Sequence, residues 1–341
     1  MIKLVSIAFL SSCLVSSASA NVLGPLSGTG WNASAFNVVT LGVLSGNLIG
    51  APTLAGNFSS NSDIGGGVAA FGNVSDANTL TNGGVTNPYT DAFNVIVNGS
   101  NSGTTVKGCG NIYLGGGGSA SPVGCSNPTV SSTGLDFNFA AARTALDNYS
   151  YNTLTSSSLN QVNLLGTPAP VSGQPYQYSI TIPSPTTAGP VYVDLNPAYL
   201  TAGSLNINYN KSLVTAIIFN VAGSTITTGN FEFYYNGSVP SGNDFGANPV
   251  LFNFYQATTV TLNNTFDASI LAPFATVNTS LDVLGQLIAG QVNSIGETHD
   301  DYFSGTGLVT TNISATPEPI TFVTIGGGLL LIGALMKKRK K

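Results

Sequence analysis

His299 is the only histidine in the 341 residues, and it stands among carboxylates: Glu297, Asp300 and Asp301. An imidazole beside carboxylates can ligate a metal or move a proton. One histidine without a cysteine partner, however, falls short of the three protein ligands that a zinc site needs. His299-Asp300-Asp301 offers donors for a weak calcium site, but without the regular oxygen-ligand loop of calcium-binding segments. No Gly-x-Ser-x-Gly elbow presents a serine nucleophile. Polysaccharide lyases and hydrolases need grouped carboxylates, and lyases often need basic groups as well. Here the acids are scattered and the cations few, so the expectation is no enzyme, no metal and no cofactor.

Cys109 and Cys125 are the next candidates. They bracket a Gly- and Ser-rich loop, Gly110–Gly124, and in an oxidising compartment a disulfide between them is the default reading. Closing a loop of this size contributes roughly 3 kcal/mol in the chain-entropy model. A metal site does not suggest itself, since no histidine or other cysteine lies near. Gly115–Gly118 is not a phosphate loop, because the following Gly-Lys-Ser/Thr is missing. A third pattern is Thr225-Ile226-Thr227 and Thr259-Val260-Thr261, 34 residues apart, with Thr276-Val277-Asn278 a further 17 on. At about two coils and then one, their hydroxyls would stack into a short flat ladder suited to ice or a polysaccharide. As ordinary β-formers they would simply be solvated.

Such a ladder needs stacked strands. Apolar β-rich cores recur around Ile218, Phe233, Leu251, Ile270 and Leu287, at spacings of 15, 18, 19 and 17 residues. Regular short cores punctuated by Gly, Asn and Pro predict a β-solenoid whose coils share one interior. A β-sandwich is the alternative, although its strands recur at shorter spacing. Asp63-Ile64-Gly65-Gly66-Gly67-Val68-Ala69-Ala70 parallels Asp282-Val283-Leu284-Gly285-Gln286-Leu287-Ile288-Ala289, which suggests two neighbouring coils built from distant parts of the chain. One helix is expected over 136–153, capped by Asp136, with Phe139, Ala142, Leu146 and Tyr149 on one face and Arg143 solvated. Segment 76–130 reads as loops apart from Asn94–Val97, and 166–190, with six prolines, reads as an irregular connection.

The two ends address the chain outward. Residues 1–20 have Lys3, an apolar Leu4–Leu10 and the small-residue site Ala18-Ser19-Ala20, the layout of a cleavable signal peptide cut by signal peptidase before Asn21. Leu10-Ser11-Ser12-Cys13 also fits a loose lipobox, which would make Cys13 a lipid anchor. At the other end, Pro317-Glu318-Pro319 precedes the apolar run 320–336 and the basic terminus Lys337-Lys338-Arg339-Lys340-Lys341. As a helix the run spans roughly 25 Å, at the short limit for an inner-membrane crossing. The five cations would stay cytoplasmic, which holds the body on the far side. The body between, 21–315, has three cations against thirteen acids, a net charge of −10. That excludes the electrostatic footprint of nucleic-acid binding.

Pro-Glu-Pro before a short apolar helix and a basic end resembles the PEP-CTERM sorting tail of Gram-negative bacteria, here 316–341. The resemblance implies transient recognition by an exosortase, a membrane-embedded cysteine protease. In the body, Phe36–Gly42, Ser62–Ala70 with Gly72-Asn73-Val74, Ile270–Pro273 with Ala275-Thr276-Val277, and Gly285–Ala289 resemble the choice-of-anchor A domain. The order of helix, VLFNFYQATTVTL, SILAPFATV and GQLIAGQV is similar to the ice-binding-type right-handed β-solenoid with a helix alongside. The family's Gly-Arg-Val-Ala is Gly66-Gly67-Val68-Ala69 here, and its Glu-Ile-His is Glu297-Thr298-His299. These likenesses imply a cell-surface or extracellular-matrix protein with a structural or adhesive role in biofilm. The alternative is a binding module for a polysaccharide or ice.

Overall fold

The computed structural model describes Ser19–Ala20, residues 36–306 except 44–52, 61–62, 76–78, 82–94, 103–104, 108–110, 119–120, 124–129, 136–137, 157–159, 175–176, 202, 241–248 and 299–302, together with Leu308 and Thr311–Asn312. The fold is mostly β, with one helix and one large parallel sheet. Fifteen strands join in that sheet, four in a second and three in a third. Every registered pair in the three is parallel. Two isolated bridges, Val43 with Leu54 and Tyr235 with Ser238, are antiparallel. Face-packed antiparallel sheets, the sandwich alternative, do not fit these ladders.

The long ladder has a continuous inward row: Ile112, Val95, Val68, Val38, Leu287, Ile270, Phe252, Phe219 and Val193. All nine belong to one buried core. The strands around Ile218, Leu251, Ile270 and Leu287 are thus successive neighbours, and Val68–Ala70 joins the same sheet. Each apolar residue removed from water here contributes roughly 1.5–3 kcal/mol.

Four expectations are corrected. The Asp63 and Asp282 segments are not neighbours, because Val38–Thr40 lies between them, pairing Val68 on one side and Leu287 on the other. Thr298 bridges Ile64 and Val283 in the same way. Matching residues set the shape of a rung, not its order. Phe233 is absent from the long ladder; its strand, Glu232–Tyr235, pairs Ser204–Asn208 in the three-stranded sheet. Segment 76–130 holds the strands Thr79–Thr81, Thr105–Lys107, Ile112–Leu114, Ser121–Val123 and Val130–Ser131 besides Val95–Val97. The proline-rich 166–190 holds Tyr178–Thr181.

In the carboxyl-terminal arm the interior is aromatic. Phe219 stacks on Phe252 at 4.8 Å, and Phe252 and Phe233 each meet Phe266 edge-on at 5.2 and 5.0 Å. Such offset and edge contacts add to area burial. In the amino-terminal arm the core is mainly Val, Ala and Ile, with Phe58 and Leu114 among them. Gly72, Gly99 and Gly116 form a column there, Gly99 N–H donating to Gly72 O and Gly116 N–H to Gly99 O, both at 3.0 Å. A Cβ on any of the three would lie 2.4–2.5 Å from its neighbour, so only glycine fits.

The helix lies on the outward row of the long ladder. It runs as an α-helix over Phe139–Asn148, widens to a π-turn at Tyr149–Thr153 and closes over Leu154–Ser156. Asn138 caps it, its side chain accepting from Ala141 N–H at 3.0 Å, and Asp136 lies outside the described residues. The expected stripe of Phe139, Ala142, Leu146 and Tyr149 is buried. Arg143, expected in solvent, is buried too. Its Nε donates to Leu41 O at 2.8 Å and Gly42 O at 3.0 Å, Nη2 also reaches Leu41 O, and the guanidinium lies 4.6 Å from the centroid of Phe71. Two carbonyls and a ring face suit a planar cation, which a helical-wheel reading does not reveal. Burial lowers the Arg143 pKa, with Asp147 opposing that shift. Further on, Asn253 donates to Ser150 O and to Asn220 Oδ1, and Asn220 donates to Leu154 O, all at 2.9 Å. The helix backbone is tied to the sheet by this amide ladder.

Candidate functional site

A second row of parallel pairs forms a polar outer face. Ile226, Val260, Val277, Val292, Phe58 and Val74 succeed one another across it and are buried. In a strand the residues on either side of an inward position point out. Thr225, Thr259, Thr276 and Gln291 therefore form one outward column, and Thr227, Thr261, Asn278 and Asn293 form the other. Ser59 and Ser75 pair in the adjoining strands. Strand spacing puts members of a column about 4.8 Å apart, and residues two apart lie about 6.7 Å from each other along a strand.

Thr225 and Thr227 are exposed and Thr259, Thr261 and Thr276 half-exposed, a consequence of strict alternation with a buried β-branched residue. The amide part of the face bonds to itself. Gln291 donates to Asn293 Oδ1 at 3.0 Å, and Asn293 to Asn278 Oδ1 at 3.2 Å. One strand on, Asn73 N–H donates to Asn57 Oδ1 and Ser100 N–H to Asn73 Oδ1, at 2.9 and 2.8 Å. These bonds restrain side chains at the amide end of the face and beside it before any ligand arrives. No residue named in either column carries charge. Such a face can accept and donate hydrogen bonds at a fixed repeat.

The expected threonine ladder is therefore present, with one correction. Thr225 and Thr259 are direct neighbours rather than two coils apart, because the intervening Phe233 core belongs to another sheet. Gln291, Asn293, Ser59 and Ser75 extend the face and were not singled out by the sequence; their signal is the same polar–apolar–polar alternation around Val292.

Carboxylates meet elsewhere. Asp267 is buried, and desolvation, then Glu232 and Asp282, push its pKa up to about 6. Tyr234 donates to Glu232 Oε2 at 3.0 Å, and Asp282 Oδ1 accepts from Glu297 N–H at 2.8 Å. Among the described residues no three or more His, Cys, Asp or Glu side chains stand as a metal-holding group. Within the same limit, no helix is long and apolar enough to cross a membrane. His299, Asp300, Asp301, Cys109, Cys125, the signal site at Ala18 and the tail with Pro317, Glu318 and Pro319 lie outside the described residues. Ala20 sits in the short strand Ser19–Ala20.

Residues 32–300 match the family model described as Putative Ice-binding-like adhesive domain. No curated protein and no solved structure matches the chain.

Proposed function

The chain belongs to the ice-binding-like adhesive domain family, and from that premise we propose that it is an exported Gram-negative surface or matrix protein that adheres through its polar ladder face. Adhesion, not catalysis, is the reading. The observation that carries it is the register of Thr225, Thr259 and Thr276 beside Thr227, Thr261 and Asn278. An uncharged hydrogen-bonding lattice favours a partner that is itself periodic and uncharged, such as an extracellular polysaccharide. Ice is the second reading, favoured by the same spacing and by the family likeness.

The parallel ladders support a β-solenoid body at 21–315, right-handed and of the choice-of-anchor A type, with the helix on its flank. Signal peptidase removes 1–20. An exosortase recognises 316–341, after transient anchoring of the 320–336 helix in the inner membrane, and the body passes to the cell surface or matrix. Export into an oxidising compartment joins Cys109 to Cys125.

The test uses exported protein from the native host. Thr225→Asp with Thr259→Asp should leave circular dichroism unchanged and abolish retention on the host's purified matrix polysaccharide; undiminished retention would remove the ladder from the reading. Intact mass should show a chain beginning at Asn21 and lacking Ile320–Lys341. Recovery of the basic terminus in the outer fraction would overturn the sorting step.

A further inference from the structure

The fifteen-stranded sheet ends at Val130–Ser131 on one side and Gln161–Leu164 on the other, and each edge strand has a single strand neighbour among the described residues. Sheet edges present backbone donors and acceptors that a further strand can use, and proteins commonly blunt them with charge or proline. Neither edge strand contains either. The chain carries no charged residue from 108 to 135, nor from 148 to 193, so the two stretches that build these edges contribute nothing to the body's net charge of −10. Apolar side chains also stand out there: Val130 is 46% exposed, Leu165 52% and Val171 37%.

The occupant follows from register. Val130 pairs Ile112, and Val162 pairs Val193, so both edges continue the same inward row from opposite sides. All strands run parallel. Val130–Ser131 of one molecule laid beside Gln161–Leu164 of another therefore extends the ladder with its polarity and row intact. A second copy of this chain offers that match at both edges, and like-charge repulsion does not oppose it there.

We propose that copies of this chain associate end to end, the Val130–Ser131 edge of one pairing in parallel with the Gln161–Leu164 edge of the next. The contact joins two different surfaces, so it propagates rather than closing into a symmetric dimer. It rests on the adhesive reading only for its use at a surface. Association is measured in solution without any ligand, so either idea can fail alone.

Sedimentation velocity on the full chain in detergent micelles tests it. Wild type should form a concentration-dependent series of species. Val130→Lys and Leu165→Lys should each remain monomeric, because each blocks one edge. An equimolar mixture of the two should give dimers and nothing larger, since one intact edge of each kind remains. Asn163→Lys, at an exposed position of the second edge, should repeat the Leu165→Lys result, and circular dichroism should show all variants folded. A wild type that stays monomeric at every concentration would overturn the proposal. So would a single variant that still associates, or a mixture that stays monomeric.

Discussion

The two arms of the long sheet solve the same packing problem with different residues. From Val38 to Ser131 the rungs are two or three residues long, filled mainly by Val, Ala and Ile with Phe58 and Leu114 among them, and lined by a column of glycines. From Gly189 to Asn293 the central strands reach seven, eight and ten residues, and the interior is a cluster of phenylalanines. Small side chains let backbones approach closely but bury little area each; the aromatic arm buries more per residue. Stability is therefore concentrated in the second arm, while the first depends on leaning against it through Val38–Thr40.

Breaking the join should have the largest effect. Leu287 pairs with both Val38 and Ile270, and Leu287→Asp should cost roughly 5 kcal/mol or more by placing an unpaired carboxylate in the core. Loss of soluble, folded protein is the expected outcome; a cooperative melt near that of wild type would contradict it. A gentler contrast separates the arms. Phe252→Ala should destabilise by about 3–5 kcal/mol, whereas Val68→Ala should cost about 1.5–2 kcal/mol. Urea midpoints for the two variants measure the difference, and equal shifts would erase the distinction.

The aromatic arm also holds a buried acid, which gives the comparison a pH dependence. Asp267 is raised from 3.8 to about 6 in the folded state. Between those values the unfolded chain releases its proton while the folded chain keeps it, so this contribution to stability is present at low pH and lost as pH rises to about 6. Asp267→Asn should stabilise the protein at pH 7.5 by roughly 2 kcal/mol and change little near pH 3.5. Identical urea midpoints for wild type and variant at both values would dismiss this account. The smallest effect belongs to the polar face. Thr259→Asp should alter stability by no more than about 0.5 kcal/mol; unfolding by this change would mean that the threonine column serves the core.

Much of this was legible in local patterns. The apolar cores of Ile218, Leu251, Ile270 and Leu287 mark their own strands, and Thr-x-Thr around a β-branched residue marks an outward pair. The buried stripe of the helix followed from its 3–4 spacing. What escaped depends on neighbours distant in sequence. Val38–Thr40 is too short to announce that it separates two matching segments. Strands such as Thr105–Lys107 and Ile112–Leu114 are held by their place in the ladder rather than by any period of their own. Arg143 is buried because Leu41, Gly42 and Phe71 meet it there, and Asp267 is perturbed first by burial and then by Glu232 and Asp282.

The join between the arms has a consequence in time. Gln286 donates to Phe36 O across 250 positions of the chain, and Leu287 lies beside Val38. A ribosome delivers residue 38 long before residue 287, so the first arm is complete in sequence while the edge it leans on has yet to be made. Late, long-range closure of this kind slows folding. The sheet becomes whole only after almost the entire body has been synthesised.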